Sequence, residues 1–255
     1  ANLSVMRSNP LFRRMFGDAF PSSSNLAIDL CNRGGVSKNS MLLHLGCGIG
    51  GVSSLLYSKF NCQIMGVDSS SQLIDIAKSE SARGSLSFDQ SPLHETSFPH
   101  SEASHILTEA NFSIYQKPDQ LFDEVKRCLA SNGMLLNSEL VITDSSLLDA
   151  RVNKFLSTSI GSGLSRTLDD WKILLQANGF EIIEAQIEPS IMRSNGKKFR
   201  RALLGLNLLR RTKQFSFSDL GLSSLEDDFD SITKSTLSAI NDGIITYASF
   251  ISKPN

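Results

Sequence analysis

The sequence predicts an α/β protein, a seven-stranded, mostly parallel sheet with helices on both faces. Three observations carry this. An apolar run, Leu42-Leu43-His44-Leu45, ends in the turn Gly46-Cys47-Gly48-Ile49-Gly50-Gly51, and Val52, Leu55, Leu56 and Phe60 follow at helical spacing. A second apolar run from Cys62 ends in a carboxylate, Asp68, 22 positions after Gly46. Further on, short apolar runs keep alternating with amphipathic helical patterns. That alternation builds a parallel sheet with crossover helices.

The elements follow in order. Residues 1–37 read as helix and loop. Leu11, Phe12, Met15 and Phe16 cluster, Gly17-Asp18 breaks the run, Leu26, Ala27 and Leu30 form a short apolar face, and Gly34-Gly35 ends it. The first strand spans 40–46, the first core helix 50–60 and the second strand 62–68. Ser69-Ser70-Ser71-Gln72 reads as a capping box, with Leu73, Ile76 and Ala77 on the buried face of the helix it opens. Ser85 to Phe88 is a third strand, 89–102 a loop with Pro92 and Pro99, and Ala103 to Thr108 a fourth strand. Pro118 fits the first turn of a helix whose stripe is Leu121, Phe122, Val125, Cys128 and Leu129, and Asn132-Gly133 ends it. Met134 to Thr143 is a fifth strand. Thr167-Leu168-Asp169-Asp170 is a second capping box, Trp171, Leu174 and Leu175 face inward, and Asn178-Gly179 closes that helix. Phe180 to Ile187 and Ile244 to Ser252 are the last two strands, and 190–242 does not fit the alternation.

A strand, a glycine turn and a helix make a ligand site from backbone alone. Glycine lets the chain turn sharply and lets a ligand approach without a Cβ in the way, while the helix's first amides face that ligand. Gly46, Gly48 and Gly51 satisfy G-x-G-x-x-G, the dinucleotide fingerprint, and Gly46, Gly48 and Gly50 satisfy the tighter G-x-G-x-G. Asp68 stands where a carboxylate can accept both hydroxyls of a ribose. A ribose-bearing cofactor is expected, and these residues leave NAD open. A helical segment ahead of the first strand weighs against it.

Composition narrows the partners. The chain has 255 residues, 40% hydrophobic and 20% charged, which suits one large domain with a small cap. A net charge of −1 gives no field that would gather nucleic acid. No apolar run approaches the ~20 residues of a membrane span. Arg7, Arg13 and Arg14 precede no apolar core, so no signal peptide is expected. Cys31, Cys47, Cys62 and Cys128 form no C-x-x-C pair, which points to reduced thiols in the cytoplasm and to no metal site. Residues 193–213 carry eight Lys and Arg around Phe199, Ala202, Leu203, Leu206 and Leu209. The leading reading is a solvated helical cap, and peripheral membrane contact through 197–213 or an anionic substrate site is the alternative.

The ordered set resembles a class I S-adenosylmethionine-dependent methyltransferase. The matching residues are Leu43-His44-Leu45-Gly46-Cys47-Gly48, Gly66-Val67-Asp68, and the turn Leu129-Ala130-Ser131-Asn132-Gly133-Met134-Leu135. Ser159 to Leu164, the Trp171 helix and Asn178-Gly179-Phe180 are similar to a small-molecule branch related to arsenite, quinone and sterol methyltransferases. The resemblance implies a Rossmann-like domain over 1–255: an N-terminal helical lid at 1–37, a cofactor-binding core at 38–188, a helical cap at 189–243 and the last strand at 244–255. It implies S-adenosylmethionine as cofactor, S-adenosylhomocysteine as product and a small-molecule acceptor. Gly46, Cys47, Gly48, Gly50, Asp68, Ser69, Pro92, Leu93, Glu109 and Asn111 would hold the cofactor.

Three departures stand beside it. His44 takes the place of the family's usual acidic residue, Ser91-Pro92 that of its adenine-side Gly-Asp, and Ala110, Ser113 and Ser159 that of the arsenic-binding cysteines. Arsenic chemistry is therefore disfavoured. A cofactor-binding protein without methyl transfer stays open, as does an NAD-dependent oxidoreductase.

Methyl transfer from a sulfonium is a displacement that needs alignment and dryness, with a base only when the acceptor is protonated. Glu109, ending the fourth strand, is the first catalytic candidate, as acceptor-orienting group or base. Tyr115 and His94 follow. His105 and His44 read as packed, structural histidines, and Glu139 reaches the site only if its side chain points there.

Overall fold

The computed structural model of the protein describes residues 23–115, 118–153, 166–193 and 228–255, together with 8, 10, 13, 14, 196, 197, 200 and 201. In chain order the elements are α1 (Ser24–Arg33), β1 (Met41–Leu45), α2 (Gly51–Phe60), β2 (Gln63–Asp68), α3 (Ser71–Ser81) and β3 (Leu86–Gln90). Then come β4 (Ala103–Glu109), the short α4 (Asn111–Ile114), α5 (Pro118–Cys128), β5 (Leu129–Ile142), α6 (Leu168–Ala177), β6 (Phe180–Ile187), α7 (Phe229–Asn241) and β7 (Ile245–Pro254).

Seven strands form one sheet in the order β3-β2-β1-β4-β5-β7-β6. Parallel ladders join β3 through β5, and β7 runs antiparallel to both β5 and β6. This is the Rossmann-like arrangement expected. Strand order reverses between β1 and β4, so a crevice opens at the carboxyl ends of these strands, where open α/β sheets bind ligands. Strand β1 lies between β2 and β4, with Leu42 opposite Ile64 on one side and His105 on the other. Helices cover both of its faces, which is why it reads as an unbroken apolar run.

The alternation of side chains along the strands splits the core in two. On one face Leu42, Leu107, Leu136 and Tyr247 pack with Leu26 and Leu30 of α1, Leu56 of α2, Ile74 of α3 and Ile240 of α7. On the other, Leu43, Leu45, Leu135 and Phe250 pack with Phe122 of α5 and Trp171 of α6. The Arg166 guanidinium stacks 5.1 Å from the Trp171 ring. Helix α1 is thus part of the core, and its apolar face is the expected Leu26, Ala27 and Leu30. Arg33 at its end bonds Asp29 at 2.8 Å, Glu188 at 3.1 Å, Ser249 at 3.0 Å and Glu184. Glu184, Glu188 and Ser249 lie on β6, just beyond it and on β7, so Arg33 pins α1 across that side of the sheet.

The structure corrects several expectations. The cap of α3 is Ser70, whose hydroxyl accepts the Leu73 amide, rather than a Ser69 capping box. Asp68 already takes the Ser70 N–H at 3.0 Å, which moves the helix start on by one residue. Leu55 is 48% exposed rather than core, and its neighbour Ser53 is buried instead. Helix α5 ends at Cys128, before Asn132-Gly133, and β5 begins at Leu129, which pairs with Ala103. Strand pairing from a distant segment overrides the local helical stripe there. The Thr167–Asp170 capping box is present as read, with both reciprocal bonds.

All four cysteines are free and buried. Among the described residues no helix is long and apolar enough to cross a membrane. The cluster at Leu11, Phe12, Met15 and Phe16, the stretch Ser159 to Leu164, and residues 198–199 and 202–213 of the basic stretch lie outside the described residues.

Candidate functional site

The crevice edge gathers the ends of four parallel strands: the glycine turn after β1, Asp68 at the end of β2, the 91–102 loop after β3, and Glu109 at the end of β4. The glycine turn is fixed by its own geometry. Gly46, Gly48 and Gly50 all have positive φ, at 72°, 57° and 79°. Side chains rarely adopt that region, so glycine is required at these turns. The amides of Gly46 and Cys47 both donate to Val67 O, at 2.7 and 3.0 Å, which ties the turn to the end of β2. A Cβ on Gly50 would lie 2.6 Å from Phe88, and one on Gly66 would lie 2.7 Å from the same ring and 2.9 Å from Cys47 Sγ. Phe88 of β3 therefore backs the turn, through two glycines.

Asp68 is 7% exposed, and each of its oxygens holds one backbone amide. Gly48 N–H donates to Oδ2 and Ser70 N–H to Oδ1, both at 3.0 Å. Two amide donors fix the carboxylate plane. Each oxygen keeps a further lone pair. A carboxylate so held fits the vicinal hydroxyls of a ribose. Ser69 lies between, with its carbonyl accepting from Gln90 Nε2 at 3.2 Å.

Beyond β4, Ala110 has φ 56°, a left-handed turn at a residue with a Cβ. It aims Asn111 back at the glycine turn. Asn111 Nδ2 donates to Leu45 O at 2.8 Å and to Thr108 Oγ1 at 3.0 Å. Glu109 is 9% exposed, with Oε2 lying 3.5 Å from His44 Nε2 and Oε1 buried without a hydrogen-bond partner among the described residues. His44 Nδ1 in turn meets Ser53 Oγ at 2.7 Å. The histidine that replaces the expected acid thus stands beside an acid supplied by the neighbouring strand. His105 is packed, its Nε2 on the Gly34 carbonyl at 2.9 Å, and burial lowers its pKa.

The remaining candidates lie along the loop after β3. Leu93 is buried in the α5–α6 core while Pro92 is exposed. His94 is exposed, and its Nδ1 bonds the Tyr115 hydroxyl, so these two catalytic candidates meet each other at the rim. Burial raises the Tyr115 phenol, against the opposing bond from His94. Asp89, at the end of β3, accepts the hydroxyls of Ser91 at 3.0 Å and Ser97 at 2.7 Å.

One contributor, Ser53, escapes a reading of the sequence, and for another, Glu139, the sequence leaves the direction of the side chain open. Ser53 orients His44 but looks like an ordinary polar helix residue. Glu139 in β5 is fully buried, and it points to α4, where Ser113 Oγ donates to it. In a strand buried on both faces, nothing in the pattern tells which neighbour a polar side chain meets.

Comparison with known proteins bears on this geometry. Residues 43–137 match the family model described as "Methyltransferase domain". A search of curated protein sequences finds no match. Among solved structures, the chain is similar to phosphoethanolamine N-methyltransferase 2 of Haemonchus contortus in complex with phosphomonomethylethanolamine and S-adenosylhomocysteine. The identity is 19% and the TM-score 0.72, over 96% of this chain and 56% of that one. The chain therefore spans little more than half the length of that enzyme. It is also similar to the cyclopropane synthase MmaA2 of Mycobacterium tuberculosis, at 14% identity and TM-score 0.73, over 99% and 98% of the two chains. A third likeness is to geranyl diphosphate C-methyltransferase of Streptomyces coelicolor A3(2), in complex with Mg2+, geranyl diphosphate and S-adenosylhomocysteine. There the identity is 13% and the TM-score 0.66, over 97% and 86%. At such identities the likeness is one of fold.

Proposed function

We propose that this chain transfers a methyl group from S-adenosylmethionine to a small-molecule acceptor. The observation that carries the reading is Asp68, held by Gly48 N–H and Ser70 N–H beside three left-handed glycines. The methyltransferase-domain match over this same stretch supports it. So do the neighbours, two of which were solved with S-adenosylhomocysteine.

In this reading Gly46, Cys47, Gly48 and Gly50 line the methionine side. Asp68 accepts the ribose hydroxyls, with Ser69 beside it, and Pro92 and Leu93 flank the adenine. The cofactor supplies an electrophilic methyl group on a sulfonium. The chain's own task is to orient the acceptor, exclude water and, for a protonated acceptor, take a proton. Glu109 is the residue for that task, since its Oε1 has no hydrogen-bond partner among the described residues. Its field favours a cation at the crevice, and Asn111 holds the turn beside it. His94 and Tyr115 border the same opening and would contact the acceptor. Ala110 and Ser113 offer no thiol, so the acceptor is placed away from arsenic.

Parallel calorimetric titrations with S-adenosylmethionine, S-adenosylhomocysteine and NADH test the reading. Binding of the first two without the third is expected. Binding of NADH alone would overturn it in favour of an oxidoreductase.

A further inference from the structure

We propose that Glu139 is a positioning residue for the crevice, holding the segment after β4 through hydrogen bonds to Phe112 and Ser113. The proposal deepens the reading above and rests on it for the identity of the ligand.

Glu139 is fully buried in the middle of β5, level with Ala248 of β7. Its hydrogen bonds go to α4. The Phe112 amide donates to Oε1 at 3.3 Å, the Ser113 amide to Oε2 at 3.3 Å, and the Ser113 hydroxyl also donates to Oε2. Helix α4 has four residues and follows the left-handed Ala110. So short a helix does not stand alone, and the amides of its first turn have no partner within it. A side chain from the sheet supplies what the local sequence cannot.

What α4 carries makes this bond matter to the site. At its start, Asn111 bonds Leu45 O under the glycine turn. After it, Tyr115 bonds His94 in the loop after β3. Three walls of the crevice therefore meet in one helical turn, and Glu139 ties that turn to the sheet. Burial pushes the Glu139 carboxyl up to about 8, against the lowering effects of Ser113, the Phe112 amide and the charge of Arg166. Among described residues Arg166, ahead of α6, is the charged group acting on it, and β7 presents Ala248. Both oxygens of Glu139 accept bonds, so glutamine matches its shape but keeps only one of the two acceptors.

The test compares Glu139→Gln, Glu139→Leu and Ser113→Ala in the full chain. The readouts are S-adenosylhomocysteine affinity by calorimetry and amide hydrogen exchange over residues 111–115. Glutamine should bind less tightly than the parent and more tightly than leucine, because it keeps one of the two acceptor oxygens. Leucine should weaken binding by about tenfold or more and speed exchange of Phe112 and Ser113. Ser113→Ala should fall between them, and it carries the test if the leucine variant does not fold. Parent-like affinity and exchange in leucine, or in Ser113→Ala if leucine does not fold, would overturn the proposal. If the parent chain does not bind S-adenosylhomocysteine, the functional reading fails. The exchange comparison then decides by itself whether Glu139 holds this segment.

Discussion

The carboxamide of Asn111 fills the space that a Cβ on Gly46 would need, with Asn111 Cγ only 2.6 Å from that position. Turn and strap are cut to each other. The φ of Gly46, 72°, adds a second demand for glycine. Gly46→Ala should therefore destabilise the protein by about 2–4 kcal/mol, combining left-handed strain with overpacking. Urea unfolding of the variant checks this, and a change under about 0.5 kcal/mol would show that Asn111 yields easily.

Asp68 makes a prediction about binding rather than folding. Asp68→Ala removes the group proposed to face the ribose and frees the amides of Gly48 and Ser70. Affinity for S-adenosylhomocysteine should fall about 10- to 100-fold, the scale of hydrogen bonds to a charged group. Equal affinity in parent and variant would remove Asp68 from the site.

Glu124 predicts a pH dependence of stability. Its side chain is 5% exposed. Burial alone would raise its pKa, but the Arg127 guanidinium and the Thr96 hydroxyl and amide bring it down to about 2. A carboxyl whose pKa falls on folding stabilises above its unfolded value near 4.3, and the benefit disappears as pH falls toward 2. Glu124→Gln should thus cost about 1–3 kcal/mol at pH 7 and almost nothing near pH 2. Unfolding curves at both pH values test it, and a pH-independent difference would contradict the assignment.

Arg33 is tied to three carboxylates and to Ser249, with Glu188 only 13% exposed. Arg33→Ala leaves Glu184 and Glu188 together without their cation. We expect a loss of about 1–3 kcal/mol and earlier amide exchange in α1. Unchanged exchange across 24–33 would mean that Leu26 and Leu30 alone hold the helix.

Strands β1 and β2 and the turn between β1 and α2 are legible in the sequence because their signals are local. An apolar run, a glycine triplet and a terminal carboxylate each lie within a few residues. Helix α2 shows where such signals stop. Its pattern turns Leu55 inward, yet Ser53 is the buried residue, because His44 waits for a hydroxyl on the sheet beneath it. The start of β5 fails for the same reason, since Leu129 is claimed by Ala103 from a separate strand. In the candidate site, Gly46, Asp68 and Glu109 are legible as strand ends. Of their neighbours, Phe88 and Glu139 come from separate strands that no spacing rule brings to the turn, while Ser53 lies nine residues after His44 and is turned inward by the histidine beneath it.

Strand β7 lies between β5 and β6 and runs against both. On the ribosome β6 emerges long before β7, so its place in the sheet does not yet exist when it is made. A nascent chain that stops short of residue 245 presents β5 and β6 as two bare strand borders, open to pairing with other chains. Closure waits for a long-range pairing at the inside of the sheet, which makes it a late event in folding. Cells making this protein slowly would keep those borders exposed longer, and chaperone demand should rise with every pause before β7.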